Sequence, residues 1–198
     1  MKKWEIIKSD YIVNNRWLKL RADTCVIPDG HTIEPYYVFE YKDWVNCFVI
    51  DAKLNVIMLK HYRHGVQDEV LEIVGGGIED TDASPLNAIK RELKEELGYT
   101  DGEVYQTGIS YPNPSNQTNK VYSFIAFGGS CTVSQELEKG ENLKMHTFNL
   151  KDIVCRLENT ESKEIFQSLH LASVFFALNF IRKSSLESLK TLKSALKF

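Results

Sequence analysis

GGGIEDTDASPLNAIKRELKEELGYT, residues 75 to 100, opens on three glycines and closes on a run of carboxylates. Ser84-Pro85 suits a helix start: a serine cap, then a proline whose missing N–H costs nothing in the first turn. Leu86, Ile89, Leu93 and Leu97 recur at helical period, and Gly98 is a natural stop. Residues three and four apart are neighbours on a helix, so Glu92, Glu95 and Glu96 share one face. Like charges so placed raise one another's pKa unless cations compensate them. Two readings stay open here. The carboxylates form a solvated face paired by Lys90, Arg91 and Lys94, or they hold a cation. The glycines weigh toward the cation, because a backbone without side chains approaches a ligand closely and leaves its carbonyls free. Carboxylate and carbonyl oxygens around one point suit magnesium or manganese, which retain waters that a phosphate can replace.

Outward from this stretch the chain is rich in strand signals. Residues 17–22 (WLKLRA) and 24–27 (TCVI) read as strands, and Pro28-Asp29-Gly30-His31 reads as the turn before TIEPYYVFEY. Pro35 belongs at the start or edge of that last strand, since it cannot donate to a ladder. WVNCFVI and NVIMLKHYR follow, joined by a hairpin-like connection at 51–55, and EVLEIVG, VYSFIAFGG and LKMHTFNL add further strands. Helical spacing returns from about 162 to 181, on Ile165, Leu169, Ala172, Phe176 and Phe180. Strands with two substantial helices inserted, not strictly alternating, predict an α+β fold or helices sandwiching a mixed sheet. Residues 184–198 carry leucines and lysines at helical spacing, either a docking helix or a frayed amphipathic tail.

Bulk composition narrows the function. The 198 residues suit one domain, or one with a small appendage, and 43% hydrophobic residues suffice for a sizeable core. A net charge of -3 is too mild for a surface that coats nucleic acid. MKKWEIIKSDY turns charged at once and no apolar run nears the length of a span, so neither leader nor membrane anchor is expected. Cys25, Cys47, Cys131 and Cys155 form no CxxC pair. They are expected to be buried, reduced thiols of a cytoplasmic protein.

The opening stretch resembles a known family. Gly77, five residues, position 83, seven residues and then RELKEELGY at 91–99 are similar to the Nudix box, G-x5-E-x7-R-E-U-x-E-E-x-G-U, where U is usually a bulky apolar residue. One position departs, because the first glutamate falls on Ala83. In the family that glutamate is largely structural and pairs with the box arginine, here Arg91. Glu79, Asp80 and Asp82 are the candidates to replace it. Residues 60–79, KHYRHGVQDEVLEIVGGGIE, resemble the segment before the box in ADP-ribose pyrophosphatases and related nucleoside diphosphate sugar hydrolases. SYPNPSNQTNKVYSFIA, 110–126, resembles their Pro-containing loop and following strand.

The resemblance implies an α/β/α sandwich around a mixed sheet over residues 43–183. Before it, residues 1–42 would form an antiparallel β segment that commonly exchanges across a homodimer. It further implies hydrolysis of the diphosphate bond of a nucleoside diphosphate sugar with magnesium or manganese as cofactor. Glu92 and Glu96 would be metal ligands with the Gly76 carbonyl, Glu95 a ligand or an orienter, and Arg91 the residue that orients the helix carboxylates. The general base would lie outside the box, on QELEKGENLKMHTF, with Glu141 first and Glu138 second. Arg63 is the expected phosphate clamp, unless it pairs instead with Glu69 or Glu72, and Glu72 is a further substrate-site candidate. Trp4, Trp17 and Trp44 are the tryptophans available to stack on a base. A nucleotide-sugar sensor without turnover, suggested by Ala83 and the extra tail, is the rival of a different class. An enzyme acting on GDP-mannose or a dinucleotide is the third reading.

Overall fold

The computed structural model describes residues 2–137, 142–158 and 167–196, which divide into two compact units. The first comprises Met1–Asp43 and Tyr111–Lys120. Its strands β1 (Glu5–Asn14), β2 (Lys19–Val26) and β3 (Thr32–Glu40) form an antiparallel sheet in chain order. Residues 17–22 and 24–27 are therefore not two strands; β2 runs through both, and a register shift between Asp23 and Cys25 marks the irregularity. Pro35 lies inside β3, an edge strand of this sheet, where a missing donor is tolerated. The 111–120 segment is tied to β3 by Phe39 N–H to the Asn116 carbonyl (2.7 Å) and Thr118 N–H to the Phe39 carbonyl (3.2 Å).

The second unit, Trp44–Ser110 with Val121–Phe198, is built on one mixed sheet. Strands β4 (Trp44–Ile50), β5 (Asn55–Arg63), β6 (Asp68–Glu72) and β7 (Val74–Gly77) precede helix α1 (Pro85–Leu97). Then come β8 (Tyr99–Thr100), β9 (Glu103–Ser110), β10 (Val121–Phe127), β11 (Ser130–Cys131) and β12 (Leu143–Asn149). Helices α2 (Leu150–Glu158), α3 (Ser168–Lys183) and α4 (Lys190–Leu196) complete the unit. The sheet runs β12-β5-β4-β10-β9, with β4 and β10 parallel and the other pairs antiparallel. Alternation along β4 sorts two cores. Val45, Cys47 and Val49 meet Ala88, Ile89, Leu93 and Leu97 of α1. Phe48 and Ile50 point the other way, into a cluster with Ile153 of α2, Val174, Ala177 and Ile181 of α3, and Leu192 of α4. Helices cover both faces, so the α+β sandwich read from the sequence holds.

Strands β4 and β5 pair only at Val49↔Ile57 and Ile50↔Val56. Beyond that point β7 takes over on β4 and β6 on β5, so the sheet opens where the glycines run. That opening positions the site.

Some elements differ from expectation. Helix α2 is additional to the two helices anticipated. Leu86 is exposed, while Ala88 joins the buried stripe of α1. The buried face of α3 is His170, Ser173, Val174, Ala177 and Ile181, one position on from the stripe inferred from apolar spacing. Leu189 and Leu192 are fully buried in the α3-side core, with Leu186 and Leu196 packed against it. All four cysteines are free, but Cys155 is exposed and Cys131 half-buried rather than buried.

Candidate active site

Helix α1 is fixed at both ends by local chemistry. Ser84 Oγ accepts from the Asn87 N–H and Pro85 fills the first turn. Gly98 takes the left-handed conformation at φ 59° and donates to Leu93 and Lys94 carbonyls. Ile89, Leu93 and Leu97 then hold the helix on the sheet, which turns Glu92 and Glu96 inward, at 8% and 7% exposure. Glu95 is partly exposed. A β-carbon on Gly76 would lie 2.2 Å from Glu92 Oε1, so the glycine is what admits that carboxylate. The Gly75 N–H donates to Glu96 Oε2 at 3.3 Å. Glycine turn and carboxylate helix are thus in direct contact.

Arg91 ties the parts together. Its Nη1 donates to Glu92 Oε1 (2.9 Å) and Glu95 Oε2 (3.0 Å), and its Nη2 to the Gly77 carbonyl (3.2 Å) and Asp82 Oδ2 (3.1 Å). Nε donates to Asp82 Oδ1 at 3.3 Å. Burial alone would push this guanidinium down, but Asp82, Glu92 and Glu95 outweigh it and raise its pKa. Asp82 also accepts from the Glu79 N–H at 2.9 Å, closing the loop between turn and helix. Of the three acids available to replace the first box glutamate, Asp82 makes the arginine contact. It stands six residues after Gly76, as that glutamate stands six after its glycine, so the departure at Ala83 is a one-residue slip between the two halves of the box.

Beside this assembly lies a cavity of about 440 Å3, lined by Glu96, Gly75, Gly76, Gly77, Arg63 and His61 among others. Its volume is that of a small-molecule site. Arg63 sits on its wall in a bidentate pair with Glu72, Nε to Oε1 at 2.8 Å and Nη2 to Oε2 at 2.6 Å. Glu72 is buried, does not line the cavity, and also accepts from Gln167 Nε2 at 2.5 Å. It braces Arg63 against the start of α3. Of the three tryptophans, Trp44 lines the cavity, whereas Trp4 and Trp17 belong to the first unit. Glu138 and Glu141 lie outside the described residues.

The donor types here, carboxylates and backbone carbonyls, are those a hard divalent cation takes. Asp82, Glu92 and Glu95 bring three carboxylates to one guanidinium, and Glu96 adds a fourth at the glycine turn. Among the described residues no three such groups converge as they stand, and Arg91 holds Glu92 and Glu95. Sequence reasoning missed Asn46, Gln167 and His170, all on the cavity wall. Asn46 was detectable as the one polar residue inside WVNCFVI.

Two family models match the chain. Residues 40–169 match the model of the NUDIX domain, and residues 4–39 that of the nucleoside diphosphate sugar hydrolase N-terminal domain. The chain is 24% identical over 186 residues to the ADP-ribose pyrophosphatase of Bacillus subtilis (strain 168), covering 93% of this chain and 96% of that protein. Over 123 residues it is 30% identical to the methanol dehydrogenase activator of Bacillus methanolicus, 62% of this chain and 65% of that one. The crystal structure of ADP compounds hydrolase shares the fold, with a TM-score of 0.78 at 17% identity over 92% of this chain and 96% of the other. The chain belongs to the Nudix family, as a pyrophosphohydrolase with an N-terminal domain of the nucleoside diphosphate sugar hydrolase type.

Proposed function

We propose that the protein hydrolyses the diphosphate bond of ADP-ribose or a related nucleoside diphosphate sugar, releasing a nucleoside monophosphate and a sugar phosphate. The observation that carries this reading is the contact of helix and glycine turn at the edge of the cavity, where Arg91 joins Glu92 to the Gly77 carbonyl and the Gly75 N–H donates to Glu96. Glu92, Glu96 and the Gly76 carbonyl would hold magnesium or manganese, with Glu95 as a further ligand or orienter. Such a cation neutralises the phosphate oxygens and lowers the pKa of a bound water. Arg91 positions the carboxylates. Arg63 is paired with Glu72, the alternative foreseen from the sequence, and it is from this pair on the cavity wall that it would meet phosphate oxygens. Glu141 is the proposed general base, with Glu138 second.

The N-terminal sheet supports a homodimer: Ile6, Ile7, Tyr11 and Ile12 on β1 and Tyr37 on β3 are large, apolar and exposed. No helix among the described residues is long and apolar enough to cross a membrane, and four free cysteines agree with a cytoplasmic setting. A non-hydrolysing sensor loses its two supports, since Asp82 supplies the contact missing at Ala83 and the C-terminal leucines are core residues. The test is turnover of a panel of nucleoside diphosphate sugars and dinucleotides with magnesium, read as monophosphate released to a phosphatase. Turnover of ADP-ribose or another diphosphate sugar that vanishes in Glu96→Gln is the expected result. Tight binding of these compounds without product would reject the reading.

A further inference from the structure

Two cavity-lining side chains have no part in this scheme. Asn46, in the middle of β4, is 3% exposed, and His170, in the first turn of α3, is 5% exposed. Among the described residues neither Asn46 Nδ2 nor His170 Nδ1 has a hydrogen-bond partner. A buried polar atom left unpaired costs stability, so two of them beside one cavity call for an explanation. The surroundings are otherwise well satisfied. Ser173, three residues on from His170, pairs with Ser123 at 2.8 Å, and Glu72 accepts from three donors.

Position and charge narrow the ligand. Asn46 is paired in register with Gly75, and a β-carbon on Gly75 would lie 2.4 Å from Asn46 Oδ1. Gly75 in turn donates to Glu96. The Asn46 amide therefore sits one residue from the proposed metal carboxylate. His170 is held neutral chiefly by burial, which Arg63 reinforces and Glu72 opposes. A carboxamide and a neutral imidazole offer no net charge to a phosphate, which Arg63 and the acidic helix's cation serve better. They match a group that both donates and accepts, and a hydroxyl does both. Rotation about the last torsion, which is broad for Asn and His, lets either side chain follow a ligand.

Resting on the diphosphate-sugar reading above, we propose that Asn46 and His170 form an uncharged subsite that takes a sugar hydroxyl of the substrate next to its diphosphate. The hydroxyl comes from the distal sugar or from the nucleoside ribose, and the ligands chosen separate these sources. Binding is measured by calorimetry in EDTA for ADP-ribose, for the methyl ester of ADP, which lacks the distal sugar, and for an analogue carrying 2′,3′-dideoxyadenosine. One of the two analogues should bind the wild type about tenfold more weakly than ADP-ribose. That gap should close in His170→Leu and in Asn46→Ala, and reopen in His170→Asn, which keeps a polar atom near the Nδ1 position. Both substitutions remove an unpaired buried group, so their thermal midpoints should not fall. A gap that persists in both variants, no gap in the wild type, or parallel weakening of all three ligands overturns the proposal. Wild type that binds with this selectivity yet releases no monophosphate in magnesium rejects the hydrolytic reading alone.

Discussion

Asp82 shows how one acid can do the work of another at a shifted position. It is nearly buried, receives Nε and Nη2 of Arg91 and caps the Glu79 N–H, so removing it leaves charged donors unpaired. Asp82→Ala should cost about 1–3 kcal/mol in urea unfolding, and adding Ala83→Glu should restore part of that loss. Gly76 makes a different prediction. A β-carbon there meets only the end of the Glu92 side chain, which can swing aside. Gly76→Ala should leave far-UV circular dichroism unchanged while lowering kcat at least about tenfold, roughly 1.4 kcal/mol of barrier. The box carboxylates and Arg91 were legible at this scale because a helix fixes which side chains neighbour each other. Asn46 showed only as a polar residue inside an apolar strand and His170 not at all, because their place on the cavity depends on how β4 and α3 meet across the sheet. The choice of Asp82 among three acids needed the fold of the loop.

At the scale of elements, α1 was readable from end to end: cap, proline, apolar stripe and glycine stop all agree. Helix α3 was found, but its face was misjudged. Leu171 and Phe175 are exposed while His170 and Ser173 are buried, so apolar residues occupy most of the circumference and the period alone cannot choose a side. The cost of that choice is measurable. Folding holds the His170 pKa down at about 4, below its ordinary value near 6.5, through burial, with Glu72 opposing and Arg63 assisting. Between these values the unfolded chain takes up a proton that the folded chain does not. Stability contributed by the neutral imidazole is therefore intact above about pH 6.5 and lost as pH falls toward 4. Urea midpoints of wild type should fall across that window by more than those of His170→Leu; parallel curves would contradict the assignment.

For the whole molecule, the sheet opens between β4 and β5 beside the cavity, and helices pack on both of its faces. Outside it, β1 presents Ile7 and Ile12 to solvent, a costly arrangement for an isolated strand. Sedimentation should find wild type as a dimer and Ile7→Glu/Ile12→Glu as a monomer of unchanged helix content. A wild-type monomer at micromolar concentration would remove the dimer from the account. The central claim is that Glu92 and Glu96, set against the glycine turn, hold a divalent cation. The most direct measurement is titration with manganese(II), following the free ion by electron paramagnetic resonance. Wild type should bind it, and Glu92→Gln and Glu96→Gln should each weaken binding at least about tenfold, the loss expected when a hard anionic ligand becomes neutral. Equal affinity in wild type and both variants would contradict the claim.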